Sequence, residues 1–188
     1  MIAFLKRLFA GSSRADQVAL CYARMMEQAR RPEFYLAGGV PDTLDGRYEM
    51  LALHAFFLAH RLKGQGEEAR LFSRDLFESM ISEMDRTVRE MGAADMGVAP
   101  RVKRMAKGFT GRILAYDRGV AAAGDEALLA ALDNNLYGTV LEVPPATLAA
   151  MAGYIRSTVA GLAAQPLESL LAGEVCFPDP ALAGGSVP

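Results

Sequence analysis

Apolar residues recur at intervals of three and four positions through most of this chain, which is the spacing of one face of an α-helix. The pattern predicts an all-α protein, folded as a single compact bundle of about six helices. The helices are expected near residues 14–30, 44–63, 67–91, 100–122, 125–137 and 144–164. No stretch shows the period-two alternation of a β-strand, so a sheet is not expected.

Several residues mark where these helices should begin. Ser13, with Asp16 three positions later, provides an N-cap and an acidic residue in the first turn. Asp42 or Thr43 is expected to cap the second long helix. Pro100 is typical of a first helical turn, so residues 93–99 are predicted to form a loop.

Proline and glycine also predict where helices end. Pro32 lacks an N–H donor and should end or kink the first helix, ahead of a short aromatic element at residues 33–36. Gly64 and Gly92 are expected to follow the ends of the second and third long helices.

The chain divides into three predicted segments. They are a short amphipathic N-terminal segment at residues 1–12, a helical domain at residues 13–172, and a Gly/Pro-rich, irregular C-terminal tail at residues 173–188. Val175 and Phe177 are the residues expected to attach the tail to the domain.

Composition and charge narrow the class of function. The chain has 188 residues, is 52% hydrophobic and has a formal net charge of −2, which argues against a general nucleic-acid-binding protein. No run of about 18 apolar residues occurs, so no membrane-spanning helix is expected. A cytoplasmic protein is predicted, with a peripheral position at the inner face of the membrane as the alternative. That alternative depends on Met1–Phe9, whose apolar residues surround Lys6 and Arg7 and would otherwise dock on the domain.

The residue types of common catalytic and metal sites lack the spacing that such sites need. His54 and His60 are six positions apart and do not share a helix face, and Glu49 stands five positions before His54. Cys21 and Cys176 fit no metal or redox motif and are expected to be free thiols. We therefore expect no catalytic residues, no metal and no cofactor, and we interpret His54 as a core histidine.

The densest positive charge lies between Asp85 and Arg118, where eight Lys and Arg residues stand against four Asp and Glu residues. Gly108 and Gly111 lie inside the predicted helix of this region, and each costs about 1 kcal/mol relative to alanine. We expect close approach of a neighbouring helix, or of a partner's backbone, to offset this cost. Met84–Arg112 is therefore predicted to form a helix–loop–helix docking face.

A series of motifs follows in a specific order along the chain. The motifs are Arg30–Tyr35, Val40–Met50, Leu53–His54, Arg61–Leu62, Met84–Arg86, Arg89–Gly92, Asp95–Val98, Val102–Met105 and Phe109–Arg112. Together they resemble the ubiquinol–cytochrome c chaperone family, over roughly residues 20–160.

The resemblance implies an all-helical, non-enzymatic assembly chaperone for ubiquinol–cytochrome c reductase. Its expected client is a membrane protein, newly made cytochrome b. The ribosome and a small partner protein are further partners implied by mitochondrial members, and no specific nucleic acid is expected. The chain starts almost at the helical domain, without a long targeting extension, as expected of a bacterial-type member.

Two groups of residues are the candidate partner-binding positions. The cationic group is Arg86, Arg89, Arg101, Lys103, Arg104, Lys107 and Arg112. The second group is Phe34, Tyr35, Asp42 and Arg47. Aromatic candidates for lining an apolar groove are Phe34, Tyr35, Tyr48, Phe56 and Phe109.

A different class of function stays open at this point. Asp85, Arg89 and Arg104 would form a carboxylate–arginine pair between two helices, as in a small helical ligand-binding protein or enzyme. That hypothesis predicts a closed pocket beside these residues, whereas a chaperone would present a docking surface.

Overall fold

The computed structural model describes residues 13–90 and 95–182, and their side chains except those of residues 87, 88, 90 and 95–106. Within these ranges the protein is all-helical, as predicted. Its α-helices are α1 (Arg14–Ala29), α2 (Pro32–Leu36), α3 (Leu44–Leu62), α4 (Glu67–Glu90), α5 (Asp95–Ala121), α6 (Glu126–Ala131), α7 (Pro145–Ala163) and α8 (Leu167–Leu171). A π-helical turn, Leu132–Leu136, follows α6 directly. The predicted N-terminal segment and the predicted stop at Gly92 lie outside the described residues.

Two of the predicted helix starts are confirmed. The Ser13 hydroxyl accepts a hydrogen bond from the Asp16 main-chain N–H at 3.2 Å, and the Asp16 carboxylate accepts one from the Ser13 N–H at 3.1 Å. At α3, the Thr43 hydroxyl accepts from the Gly46 N–H at 3.1 Å, so Thr43 rather than Asp42 is the N-cap. A cap of this kind stabilises a helix by about 1 kcal/mol.

The predicted start of the fourth long helix is wrong. α5 begins at Asp95, so residues 95–99 are helical and do not belong to a loop. Pro100 therefore lies in the second helical turn instead of the first. A proline there removes one main-chain hydrogen bond, and the turns on either side continue the helix.

α3 lies at the centre of the bundle and packs against α1, α4, α5 and α7. Every residue from Tyr48 to Leu58 is buried. A helix with apolar residues on all its faces fits only where other helices surround it. Among the described helices, none is both long enough and apolar enough to span a bilayer.

α5 and α6 approach each other closely at Gly119. A Cβ atom at this position would lie 2.7 Å from the Cα of Leu128 and 3.0 Å from its nitrogen, closer than real Cβ contacts. Gly119 is thus a close-approach glycine that the sequence did not single out. Gly111, which was expected to allow such an approach, is exposed, and its Cβ position has no described atom within 4 Å.

Residues 173–182 form an irregular segment that runs alongside α1. This segment is called the C-terminal strap below. At its start, Gly173 has a φ of +86°, and a Cβ there would lie 2.5 Å from the Gln17 carbonyl oxygen. Further along, Gln28 donates a hydrogen bond to the Pro178 carbonyl at 2.9 Å. The strap therefore runs beside α1 for most of the length of that helix.

The strap is attached through its main chain and through two apolar side chains. The Gln165 amide donates to the Cys176 carbonyl at 2.7 Å and accepts from the Cys176 N–H at 3.0 Å. Val175 is buried, and the Phe177 ring lies 5.3 Å from the ring of His54. The predicted attachment by Val175 and Phe177 is confirmed.

Candidate partner-binding surfaces

An ion pair of low exposure joins α3 to α5. The Nε–H of Arg112 donates to Oε2 of Glu49 at 2.6 Å, and Nη2 donates to Oε1 of the same carboxylate. The Arg112 guanidinium also lies 5.3 Å from the centre of the Tyr48 ring, in cation–π range. Arg112, a candidate partner-binding residue, therefore holds two helices of its own chain together.

Gly108 provides the space that this guanidinium occupies. A Cβ atom at Gly108 would collide with Nη1 of Arg112, one helical turn further along. The group that approaches Gly108 thus comes from the same helix, whereas the sequence suggested a neighbouring helix or a partner. A glycine inside a helix is less favourable than alanine by about 1 kcal/mol. At Gly108 this cost is offset because the missing Cβ leaves room for the Arg112 guanidinium to pair with Glu49.

The ion pair is largely shielded from solvent. Burial raises the pKa of the Glu49 carboxyl, and the hydrogen bonds from Arg112 oppose that rise. Tyr116, one turn beyond Arg112, is buried, and its hydroxyl has no hydrogen-bond partner in the described part of the chain. Burial, with a smaller contribution from the charge of Glu49, raises the pKa of Tyr116. This cluster is arranged to hold α3 against α5.

His54 is a core histidine, as predicted. It has no exposed surface, its Nδ1 lies 2.8 Å from the Met50 carbonyl oxygen, and its Nε2 lies 2.9 Å from the Tyr154 hydroxyl. Burial lowers its pKa to about 4, so the imidazole is neutral at pH 7. Phe34 packs edge-on against both His54 and Tyr154 and is also fully buried. We therefore assign Phe34 to the core and leave it out of the contact surface considered below.

The other three residues of the second candidate group lie together. Nε of Arg47 donates to Oδ1 of Asp42 at 2.6 Å, and more than half of each side chain is exposed. The Tyr35 hydroxyl donates to the Ala29 carbonyl at 2.9 Å. Burial raises the pKa of Tyr35, and the charges of Arg47 and Asp42 act on it in opposite directions, so both are close to the phenol. Tyr35, Asp42 and Arg47 thus mark one outer region of the bundle.

Within the cationic group, the arginines of α4 pair along their own helix. Arg89 donates to Asp85 at 2.7 Å, and Arg86 lies within ion-pair distance of Glu83. All four side chains are exposed by a third or more. Pairs of this kind on a helix surface contribute only about 0.5 kcal/mol each.

The remaining cationic residues belong to α5. Lys107 is exposed. Arg101, Lys103 and Arg104 lie on the same helix, and their side chains are outside the described set. A common cationic face, and a contact of Arg104 with Asp85 or Arg89, both stay predictions.

An apolar pocket of about 250 Å³ opens between α1, α3, α4 and α5. Its apolar lining includes Met25, Leu76, Phe77, Met80, Phe109 and Ile113, with Ser73, Arg74 and Thr110 also contributing. The Phe77 and Phe109 rings are stacked, 4.8 Å between centres. Of the aromatic residues proposed to line a groove, Phe109 lines this one, whereas Phe56 is fully buried in the core.

Four large apolar side chains are exposed among the described residues. They are Leu20, Leu36, Leu114 and Leu141. None of the four belongs to the candidate set drawn from the sequence.

The family model described as ubiquinol–cytochrome C chaperone matches residues 36–177, about three quarters of the chain. The chain belongs to this family. The match begins at the end of α2 and extends into the C-terminal strap, so it includes the Glu49–Arg112 pair and the apolar pocket except its α1 residue Met25.

Curated relatives of this chaperone-family chain carry a consistent name. Ubiquinol–cytochrome c reductase complex assembly factor 1 of Xenopus laevis is 28% identical over 157 residues, 83% of this chain and 78% of the relative. The mouse and human proteins of that name are each 27% identical, over 82% and 83% of this chain. The aligned region spans 52% of the mouse and human proteins, about half of their length.

A solved structure shares the whole fold of this family member. The crystal structure of the Cbp3 homolog from Brucella abortus superposes with a TM-score of 0.80 at 33% sequence identity. The superposition covers 96% of this chain and 98% of the other.

The exposed leucines were missed because nothing in the helical spacing points to them. Leu36 directly precedes Ala37 and two glycines, and Leu141 lies in a connection that ends at two prolines. For Leu141, the signal that could have identified it is a large apolar residue in a segment that is neither helix nor strand. For Leu36, the signal is a large apolar residue at the end of a short helix, close to two glycines.

Proposed function

We propose that this chain is a non-enzymatic assembly chaperone that holds newly made cytochrome b before ubiquinol–cytochrome c reductase is assembled. The observation that carries the proposal is the family match over residues 36–177. It is supported by the likeness of nearly the whole chain to the Cbp3 homolog and by the names of the curated relatives.

The apolar pocket suits a client that exposes apolar side chains before it enters a membrane. Methionine has a flexible, polarisable side chain, and surfaces rich in methionine and aromatic residues adapt to different apolar partners. Met25 and Met80 line this pocket together with the stacked rings of Phe77 and Phe109. Such a lining can hold a bulky apolar side chain without requiring one particular shape.

Charged side chains that join helices to one another support a binding role more than a catalytic one. Arg112 is used to join α3 to α5 through Glu49. Arg156 donates to the Asp125 carboxylate and to the Gly124 carbonyl, which ties α7 to the connection between α5 and α6. These side chains therefore hold helices in place.

Deletion of the gene tests the proposal. Assembled ubiquinol–cytochrome c reductase should fall severalfold on native gels and return when the wild-type chain is supplied in trans. Crosslinking in native membranes, followed by purification of the chaperone, should recover cytochrome b. Unchanged amounts of assembled reductase in the deletion strain would contradict the assembly role. Recovery of the chaperone without cytochrome b would contradict the proposal that cytochrome b is its client.

A further inference from the structure

Two leucines of the bundle extend into water. Leu36, the last residue of α2, is 75% exposed, and Leu141, between the π-helical turn and α7, is fully exposed. Covering such side chains with a partner is favourable, because apolar surface is removed from water. Exposed apolar side chains that lie in one region of a folded protein are therefore a candidate interaction site.

Contacts of Gly38 place these leucines at the same end of the bundle. The Tyr137 hydroxyl donates to the Gly38 carbonyl at 2.5 Å. A Cβ atom at Gly38 would lie 3.2 Å from the terminal methyl of Met151 in α7. Tyr137 and α7 bound the connection that carries Leu141, and Gly38 follows Leu36 by two residues. Leu36 and Leu141 are together called the leucine patch below.

The segments that build this end carry an excess of negative charge. Residues 31–47 and 132–147 contain five carboxylates and two cations, Arg31 and Arg47, an excess of three negative charges. Arg31 pairs with Glu33, and Arg47 pairs with Asp42. The carboxylates are Glu33, Asp42, Asp45, Asp133 and Glu142. Glu142 is exposed and adjacent in sequence to Leu141. A ligand that covers the leucines and carries positive charge beside its apolar part would complement this end.

We propose that the leucine patch binds the cytoplasmic flank of a membrane-protein client, where an apolar run is followed by several Lys or Arg residues. The cytoplasmic flanks of membrane-spanning helices have this composition. The apolar run contacts Leu36 and Leu141, and the basic residues lie near the carboxylates of the surrounding segments. This inference rests on the proposed chaperone function and adds which part of the client is recognised.

Synthetic peptides test the recognition directly. One peptide carries a short leucine-rich run followed by three lysines, and a second carries the same run followed by three glutamates. Fluorescence anisotropy should show binding of the lysine peptide to the wild-type chain, with an affinity that weakens as salt is added. The double variant Leu36→Ser/Leu141→Ser should bind it roughly tenfold more weakly. Glu142→Gln should weaken it severalfold.

The chain provides a matched control. Leu20→Ser/Leu114→Ser also removes two exposed leucines, but from α1 and α5, and should bind the lysine peptide like the wild type. All four leucines are exposed, so none of these variants should lower the free energy of unfolding appreciably. Equal affinity of the Leu36/Leu141 variant and the wild type would overturn the inference, as would equal binding of the two peptides.

Crosslinking in native membranes separates this inference from the proposed function. If the wild type and the Leu36/Leu141 variant recover the same amount of cytochrome b, the leucine patch is not the recognition site, and the chaperone function stands. If the lysine peptide binds at the patch but the wild type recovers no cytochrome b, the patch stands and the proposed client is wrong.

Discussion

Arg112 places a positive charge beside the Glu49 carboxylate. Without it, burial would favour the neutral, protonated form of this group. The Glu49 side chain is only 11% exposed, and burial raises its pKa above the ordinary value of 4.5. The two hydrogen bonds from Arg112 favour the ionised form and oppose this effect. Removal of one partner from such a pair costs more than the pair itself contributes, because the other charge stays buried alone.

The substitution Arg112→Met should therefore destabilise the fold by about 3 kcal/mol near neutral pH, measured by urea unfolding. In this variant the folded state binds a proton at Glu49 more tightly than the unfolded state does. The stability that protonation provides is present at low pH and is lost as the pH rises from about 4.5 through the raised pKa of the folded state. The loss relative to wild type should accordingly shrink between about pH 7 and pH 5.

A second substitution isolates the carboxylate as the cause. Adding Glu49→Gln to Arg112→Met removes the unpaired charge, so the double variant should recover part of the stability and lose the extra pH dependence. If Arg112→Met had the same deficit at both pH values, Glu49 would not be the origin of the destabilisation.

Glycines on α5 differ in what surrounds them, and this difference decides how the helix responds to substitution. Alanine is favoured over glycine in a helix interior by about 1 kcal/mol. Gly111 is exposed with an open Cβ position, whereas a Cβ at Gly119 would meet the Leu128 main chain. The same chemical change should therefore have opposite effects at two positions of one helix.

Gly111→Ala should raise the free energy of unfolding by up to about 1 kcal/mol. Gly119→Ala should lower it by roughly 1–3 kcal/mol, because α6 has to move away from α5. Urea unfolding of the two variants, compared with the wild type, gives both values. Stabilisation by Gly119→Ala would mean that the close contact with Leu128 is absent in solution.

Local sequence signals were sufficient to predict most helix boundaries. They were insufficient where the role of a residue depends on its contacts with another helix. Ser13, Thr43 and Gly64 act within one turn of chain, so their roles can be inferred from neighbouring residues. Pro100 was misjudged because proline favours the first helical turn, whereas α5 begins five residues earlier and tolerates the proline in its second turn. The role of Gly119 depends on Leu128 across a helix interface, which helical spacing alone does not locate.

At the scale of the whole bundle, the C-terminal strap covers an aromatic cluster around His54. The helices alone would leave one side of this cluster exposed. Phe177 closes one side of His54, whose other ring neighbours include Phe34 and Phe57. Gln28, itself buried, uses its amide to bind Pro178 in the strap. Removal of the strap would expose this apolar surface and leave the buried Gln28 amide with only its hydrogen bond to the Tyr154 hydroxyl.

A chain that ends at Gly173 should therefore lose about 3 kcal/mol or more of stability in urea unfolding. It should also bind a dye that reports exposed apolar surface more strongly than the full chain does. The matched control is Cys176→Ser, which changes an exposed side chain and keeps the main-chain contacts with Gln165. A truncated chain as stable as the full one would show that the strap contributes nothing to the core.

The candidate contact surfaces were predictable only in part. Ordered motifs indicated the family, and helical spacing indicated that His54 belongs to the core. The sequence did not predict which candidate side chains are exposed. Phe34 and Tyr35 are adjacent, for example, and only Phe34 is fully buried. The leucine patch joins two segments about a hundred residues apart, and only the folded chain places them at one end.

The two cysteines differ in a way that makes the strap selectively reactive. Cys176 is exposed, whereas Cys21 is buried, and burial raises the pKa of Cys21 to about 12. Maleimides and iodoacetamides react with thiolates that they can reach, so a fluorophore should attach to Cys176 alone in the folded protein. When Cys176 is replaced by serine, Cys21 is modified only when α1 opens and exposes the core. The modification rate of Cys21 therefore measures the local unfolding of α1.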